Sequence, residues 1–166
     1  ENVIGGGGGA ANIIAFNARD GVRVDGADAL RNNIFGNSIH DNAGKGIENI
    51  NGGNTELAPP VVMAAGSASG TACYPCLIAV YSDSADEGRV FDGAATTSPA
   101  GTWTFSGAVT GPNITATATD GFGNTSEFSA PFSLPATPTP SPSPTPTATV
   151  TATPTAPSTE PVDLAG

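Results

Sequence analysis

The chain has 166 residues, among them 22 Gly and 15 Pro, and only 12% of its residues are charged. That mixture suits a turn-dense β-protein better than a helical one, and no stretch recurs at the i, i+3, i+4, i+7 spacing of an amphipathic helix. Fifteen acidic against five basic side chains set a formal net charge of −10. Clustered Lys and Arg for phosphate are therefore missing, which argues against nucleic acid and against anionic membrane surfaces, and no run approaches the roughly 18 apolar residues of a membrane span.

Residues 1–57 carry a repeat. Asn12-Ile13-Ile14-Ala15-Phe16-Asn17 is followed by Gly21-Val22, and 25 positions later come Asn37-Ser38-Ile39-His40-Asp41-Asn42 and Gly46-Ile47. The stacked positions are Asn12/Asn37, Ile14/Ile39, Asn17/Asn42 and Val22/Ile47, with Ala18/Ala43 and Gly21/Gly46 at the same offset. A further Asn-x-Ile-x-x-Asn copy overlaps at Asn32, Ile34 and Asn37. A short strand in each repeat buries one or two aliphatics, and a turn follows where Asn or Gly accepts a left-handed backbone. Equivalent Ile residues then stack from coil to coil, and equivalent Asn residues form an amide ladder. A coil of this length predicts the C-terminal end of a right-handed parallel β-helix. The chain opens at Glu1 in mid-repeat, so further coils and a signal peptide are expected upstream.

After Asn51 to Ala58, read as the exit from the coils, residues 58–134 change character. Strands are expected near 61–65, 69–73, 77–82, 88–96, 102–106, 113–119 and 125–133, the pattern of a Greek-key sandwich. Trp103 and Phe105 share a face, as do Ile114, Ala116 and Ala118, and Phe128, Ala130 and Phe132. Trp103, Phe105, Ile114, Phe128 and Phe132 are expected in the inter-sheet core, with Thr115, Thr117 and Thr119 facing water. Residues 135–161 are mostly Thr-Pro, Ser-Pro and Thr-Ala units. Proline blocks helix and sheet there, predicting a disordered or polyproline-II stalk that reaches on the order of 80 Å and carries candidate O-glycan sites. Residues 162–166 stay unassigned.

Asn2-Val3-Ile4-Gly5-Gly6, Asn12 to Asn17, Asp20 to Val24 and Gly36 to Ile39 resemble the repeats of bacterial secreted and surface right-handed parallel β-helix proteins. In many of these the last coil precedes a small immunoglobulin-like domain, which closes on a phrase similar to Thr117-Ala118-Thr119-Asp120-Gly121-Phe122-Gly123-Asn124-Thr125-Ser126-Glu127-Phe128-Ser129. The resemblance covers roughly residues 2–134 and implies an all-β chain with an immunoglobulin-like β-sandwich after the coils.

Cys73-Tyr74-Pro75-Cys76 has the spacing of a redox pair, but it lies between two expected strands rather than at a helix N-terminus. Residue 77 is Leu, not the His of a haem-attachment motif, and a zinc site would need a second pair. A structural disulfide of Cys73 with Cys76, formed in an oxidising compartment, is the preferred reading. Asp83, Asp86 and Glu87 are calcium candidates by composition, although their spacing is not that of an EF-hand and a solvated acidic loop is the blander reading. The charges Arg19, Asp20, Arg23, Asp25, Asp28, Arg31, His40, Asp41, Lys45 and Glu48 fall at outward positions and turns, His40 being expected on an exposed strand position.

No catalytic or cofactor-binding residue is assigned. The residues point to a non-catalytic extracellular or cell-surface structural or adhesive module, with the sandwich covering the open end of the solenoid. Its expected partners are extracellular polysaccharide or neighbouring subunits. Two alternatives stand beside it: an accessory end of a polysaccharide-degrading β-helix enzyme, and a subunit of an extracellular filament or surface layer.

Overall fold

The computed structural model describes residues 1–7, 9–64 and 68–134, which fall within one compact unit. The expected stalk (135–161) and residues 162–166 lie outside the described residues. The described part is all-β, with one short 3-10 turn at Gly53–Glu56.

Six short strands come first: β1 (Asn2–Gly5), β2 (Ile13–Ala15), β3 (Val22–Asp25), β4 (Asn32–Phe35), β5 (Ser38–His40) and β6 (Ile47–Ile50). They pair in parallel, β1 with β4, β2 with β5 and β3 with β6, so that the first three strands lie rung by rung on the second three. Ile14 pairs with Ile39 and Val22 with Ile47, the 25-residue offset visible in the sequence. Asn2 pairs instead with Asn32, and Ile4 with Ile34, at an offset of 30. The glycine-rich turn between β1 and β2 is five residues longer than its counterpart between β4 and β5, which shifts the register there. Val24, Ile34, Ile39 and Ile47 form the buried core of this stack.

Left-handed backbone recurs at matching positions of the two coils. Phe16 (φ 59°) lies over Asp41 (φ 54°), and Gly26 (φ 105°) over Asn51 (φ 53°). The expectation of Asn or Gly at such turns holds for the second pair only. A phenylalanine in this region is strained, and here its ring meets His40 edge to face, with ring centres 5.8 Å apart.

Seven strands follow: β7 (Val61–Ala64), β8 (Ser69–Thr71), β9 (Cys76–Asp83), β10 (Val90–Thr96), β11 (Thr102–Thr104), β12 (Asn113–Asp120) and β13 (Phe132–Ser133). They form two antiparallel sheets, ordered β10-β9-β12-β13 and β11-β8-β7. Ile78, Val80, Trp103, Phe105, Ile114, Ala116 and Ala118 make one core shared by the two sheets, with Phe132 packed at its margin. Strand alternation explains it, because Ile78 and Val80 on β9 and Ile114, Ala116 and Ala118 on β12 point to the same side.

The other face of β9 and β12 departs from expectation. Thr115 and Thr117 are fully buried and Thr119 nearly so, where exposure to water was expected. The Thr115 hydroxyl donates to the Glu87 carbonyl, and the hydroxyls of Thr119 and Thr125 bond at 2.9 Å. Strands β9 and β12 are thus buried on both sides, with the aliphatics of β12 facing one way and its threonines the other.

The expected strand 125–133 also differs, shrinking to Phe132–Ser133. Along residues 125–131 the pairing to β12 is carried by serines. The Ser126 N–H donates to the Ala118 carbonyl and the Ser129 N–H to the Ala116 carbonyl. Their hydroxyl oxygens accept in return from Ala118 N (2.9 Å) and Ala116 N (3.0 Å). Three residues therefore span what two would span in a regular ladder, and Phe128, Ala130 and Phe132 do not share a face. Phe128, expected in the inter-sheet core, packs on the coil core instead.

Candidate functional site: the joint between the coils and the sheets

A parallel strand uses alternate residues for each neighbour. In the second coil, the carbonyls of Arg31 and Phe35 accept from Asn2 and Gly6 of the first. Asn32, Ile34 and Gly36 therefore turn their backbone groups to the far side. Bare N–H groups on such an edge invite pairing with another chain. Here they are occupied. Asn32 N donates to Asn54 Oδ1 (2.9 Å), Ile34 N to the Thr125 hydroxyl (2.9 Å) and Gly36 N to the Tyr81 hydroxyl (3.1 Å), and Arg31, left-handed at φ 60°, also gives its N–H to Asn124 Oδ1 (2.7 Å). On β5, Ile39 and Gly88 exchange two backbone bonds of 2.9 and 2.8 Å. Asn42 N meets Glu87 Oε2 (3.1 Å), and Asn49 N meets Glu127 Oε1 (3.0 Å).

The asparagine ladders are closed in the same way. Asn37 Oδ1 accepts from the backbone N–H and the amide of Asn12 (3.1 and 3.0 Å), and Asn42 Oδ1 from those of Asn17 (3.2 and 2.8 Å). Asn42 then gives its own N–H and amide to the two oxygens of Glu87, which occupies the place of a third rung. Asn54, in a left-handed conformation, does the same for the Asn2–Asn32 ladder, accepting from Asn32 N (2.9 Å) and its amide (3.2 Å). The Thr125 carbonyl takes the amides of both Asn49 and Asn54, each at 2.9 Å.

Phe128 fills the apolar centre. Its ring meets Tyr81 edge to face at 5.3 Å, and Gly46 and Gly88 lie beneath it so closely that a Cβ on either would strike the ring. Burial pushes the Tyr81 phenol up to about 12, against the lowering effect of its bond from Gly36. The loop that presents Asn124 is fixed by Asp120, whose Oδ1 accepts from Phe122 N (2.8 Å) and Asn124 N (3.0 Å).

The stacked positions read from the sequence, Asn12, Ile14, Asn17, Val22, Asn37, Ile39, Asn42 and Ile47, are brought together by the parallel pairing. Cys73 and Cys76 form a disulfide, their Cα atoms 5.6 Å apart. It borders a depression of about 390 Å³ in which Tyr74 and Phe122 are exposed. The three calcium candidates do not converge. Asp83 is buried and accepts from the N–H groups of Ser84, Ala85 and Arg89, Glu87 is committed to Asn42, and Asp86 points to solvent. Among the described residues, no group of three or more His, Cys, Asp or Glu side chains gathers as a metal site. His40 departs from its expected exposure. It is buried under Phe16, with Nδ1 2.9 Å from an Asp41 carboxylate that also meets Arg89. Those two neighbours, His40 first, hold the Asp41 carboxyl below its usual range.

Sequence reasoning missed the joint residues Tyr81, Glu87, Asn124, Thr125 and Glu127 and the role of Phe128. Most belong to the closing phrase 117–129, whose polar residues read as turn chemistry until the coils are set against them. No helix among the described residues is long and apolar enough to cross a membrane. No protein-family model matches the chain, and no curated protein matches it either.

Proposed function

We propose that this chain is a non-catalytic extracellular structural or adhesive module: the last coils of a right-handed parallel β-helix, closed by an immunoglobulin-like sandwich. The observation that carries the reading is the joint. The far-edge N–H groups of Arg31, Asn32, Ile34, Gly36, Ile39, Asn42 and Asn49 each meet an acceptor from Asn54, Tyr81, Glu87, Gly88 or residues 124–127. A sheet pair that caps a coil edge keeps it from pairing with other chains, which is what a solenoid end requires. The disulfide favours an oxidising compartment. Acidic groups that could serve acid–base chemistry are engaged structurally, Asp20 with the Lys45 N–H, Asp120 with its own loop and Glu127 with Lys45.

The test pairs a glycan array with an assay for cleavage of neutral and acidic polysaccharides by the purified chain. Binding without release of new reducing or unsaturated ends is the expected result. Turnover that persists through purification and disappears on substitution of one acidic residue would overturn the non-catalytic reading.

A further inference from the structure

We propose that the free face of the first coil is a docking face for another parallel coil of the same polarity, and that a second copy of this chain does not occupy it. The inference rests on reading residues 1–57 as stacked coils. Among the described residues, strands β1, β2 and β3 each have a single strand neighbour. The N–H groups of Asn2, Gly6, Val22 and Gly26 are used toward the second coil, so Val3, Ile13 and Arg23 direct theirs away from it. The interior row shows the same asymmetry. Ile34, Ile39 and Ile47 are at most 2% exposed, whereas their partners Ile4, Ile14 and Val22 are only half-buried. A depression of about 410 Å³, lined in part by Ile4, Val22, Val24 and Ala29, opens at this end.

The polarity of the asparagine ladders selects the occupant. In every rung the later Asn side-chain oxygen accepts from the earlier Asn, so the first coil ends in the side-chain oxygens of Asn2, Asn12 and Asn17, to which no described group donates. The matching occupant offers a backbone N–H and a side-chain amide at those registers, as a preceding Asn-x-Ile coil does. A second copy cannot. Its own side-chain donors of that kind, on Asn32, Asn37 and Asn42, are taken by Asn54, the Ile4 carbonyl and Glu87. Two first coils meeting face to face would set oxygens against oxygens, between chains of net charge −10.

The test uses the unmodified chain and a variant in which the segment 32–50, followed by the linker 26–31, is fused ahead of Asn2. Amide exchange of Val22 and Ser38, whose N–H groups bond across the two coils to Gly46 and Asn12, reports on the coil reading itself in the unmodified chain, and unprotected amides there would remove that reading and this inference together. With those amides protected, the fused coil is expected to slow exchange at Val3, Ile13 and Arg23 at least about tenfold and to raise Tm. Replacing its two inserted asparagines that align with Asn37 and Asn42 by Leu should reduce both gains. Unchanged exchange at Val3, Ile13 and Arg23 would overturn the docking face. Light scattering of the unmodified chain is expected to show a monomer at all concentrations, and a dimer dispersed by Ile13→Lys would overturn the exclusion of a second copy.

Discussion

The two edges of the coil stack carry the same backbone chemistry and meet different surroundings. At the far edge, Ile34, Ile39 and Ile47 lie under Phe128 and the β9–β12 sheet, and the outward N–H groups end on built acceptors. At the near edge the corresponding Ile4, Ile14 and Val22 stay half-buried, and Val3 and Ile13 are 66% and 79% exposed. The comparison teaches that a repeat sets which residues stack, while the neighbour of the last rung sets what the stacking contributes. An interior isoleucine with cover on both sides contributes its full burial and dispersion; one at an open end contributes a fraction.

The largest expected effect tests that difference at one register. Ile39→Ala should cost about 3–4 kcal/mol in urea unfolding, and Ile14→Ala about half as much, because less apolar surface is lost at the open edge. Equal costs would show that the far edge gains nothing from its cover. Next is the alkaline limb. Tyr81 is more acidic unfolded than folded, so its stabilisation is complete below pH 10 and is lost as pH rises toward about 12. At about 1.4 kcal/mol per pH unit the loss approaches roughly 2–3 kcal/mol. Tyr81→Phe should flatten that limb of the stability–pH curve while leaving the Gly36 N–H without its acceptor.

Thr125→Val keeps the shape of the side chain and removes the acceptor of Ile34 N, with an expected cost of about 1–2 kcal/mol. Hydrogen exchange should accelerate at Ile34 and not at Val22, whose N–H is bonded to the Gly46 carbonyl, which separates a local edge effect from general destabilisation. The smallest effect is at the rim, where Lys45 meets Glu127 at 2.8 Å with its side chain 55% exposed. Glu127 holds the Lys45 ammonium above its usual pKa, so the contribution is present below that value and fades as pH rises through the folded one. Lys45→Met should cost under about 1 kcal/mol, less at high salt.

Much of the coil layout was legible because an aliphatic stack and an amide ladder impose sequence identity at a constant spacing. Asn12/Asn37 and Ile14/Ile39 show it, as the pairing does. The β1–β4 register was harder to read, since five extra residues in a glycine-rich turn break the spacing without disturbing the strands on either side. Strands β7 to β12 also appear close to their expected positions, marked by alternation and turn residues. Glu87 shows where such reading stops. As one acidic residue in a short loop it looks like a cation ligand, and only the position of Asn42 reveals a carboxylate standing in for an amide rung.

By itself the sequence determined the all-β character, the 25-residue register of β2 with β5 and β3 with β6, the Cys73–Cys76 pair and the aliphatic face of β12, all of which follow from periodicity or constant spacing along the chain. The tertiary structure decided the second face of β12. Thr115, Thr117 and Thr119 alternate with alanine and isoleucine in the pattern of a half-solvated strand, yet all three are buried. It likewise decided that Phe128 leaves the sheets for the coils, through serines whose hydroxyls accept from the backbone of β12. The reason is common to both. Alternation reports that a strand has two different faces, but which of them meets water depends on what packs there, and the partners met on this one, Glu87 and Thr125, come from loops outside the strand.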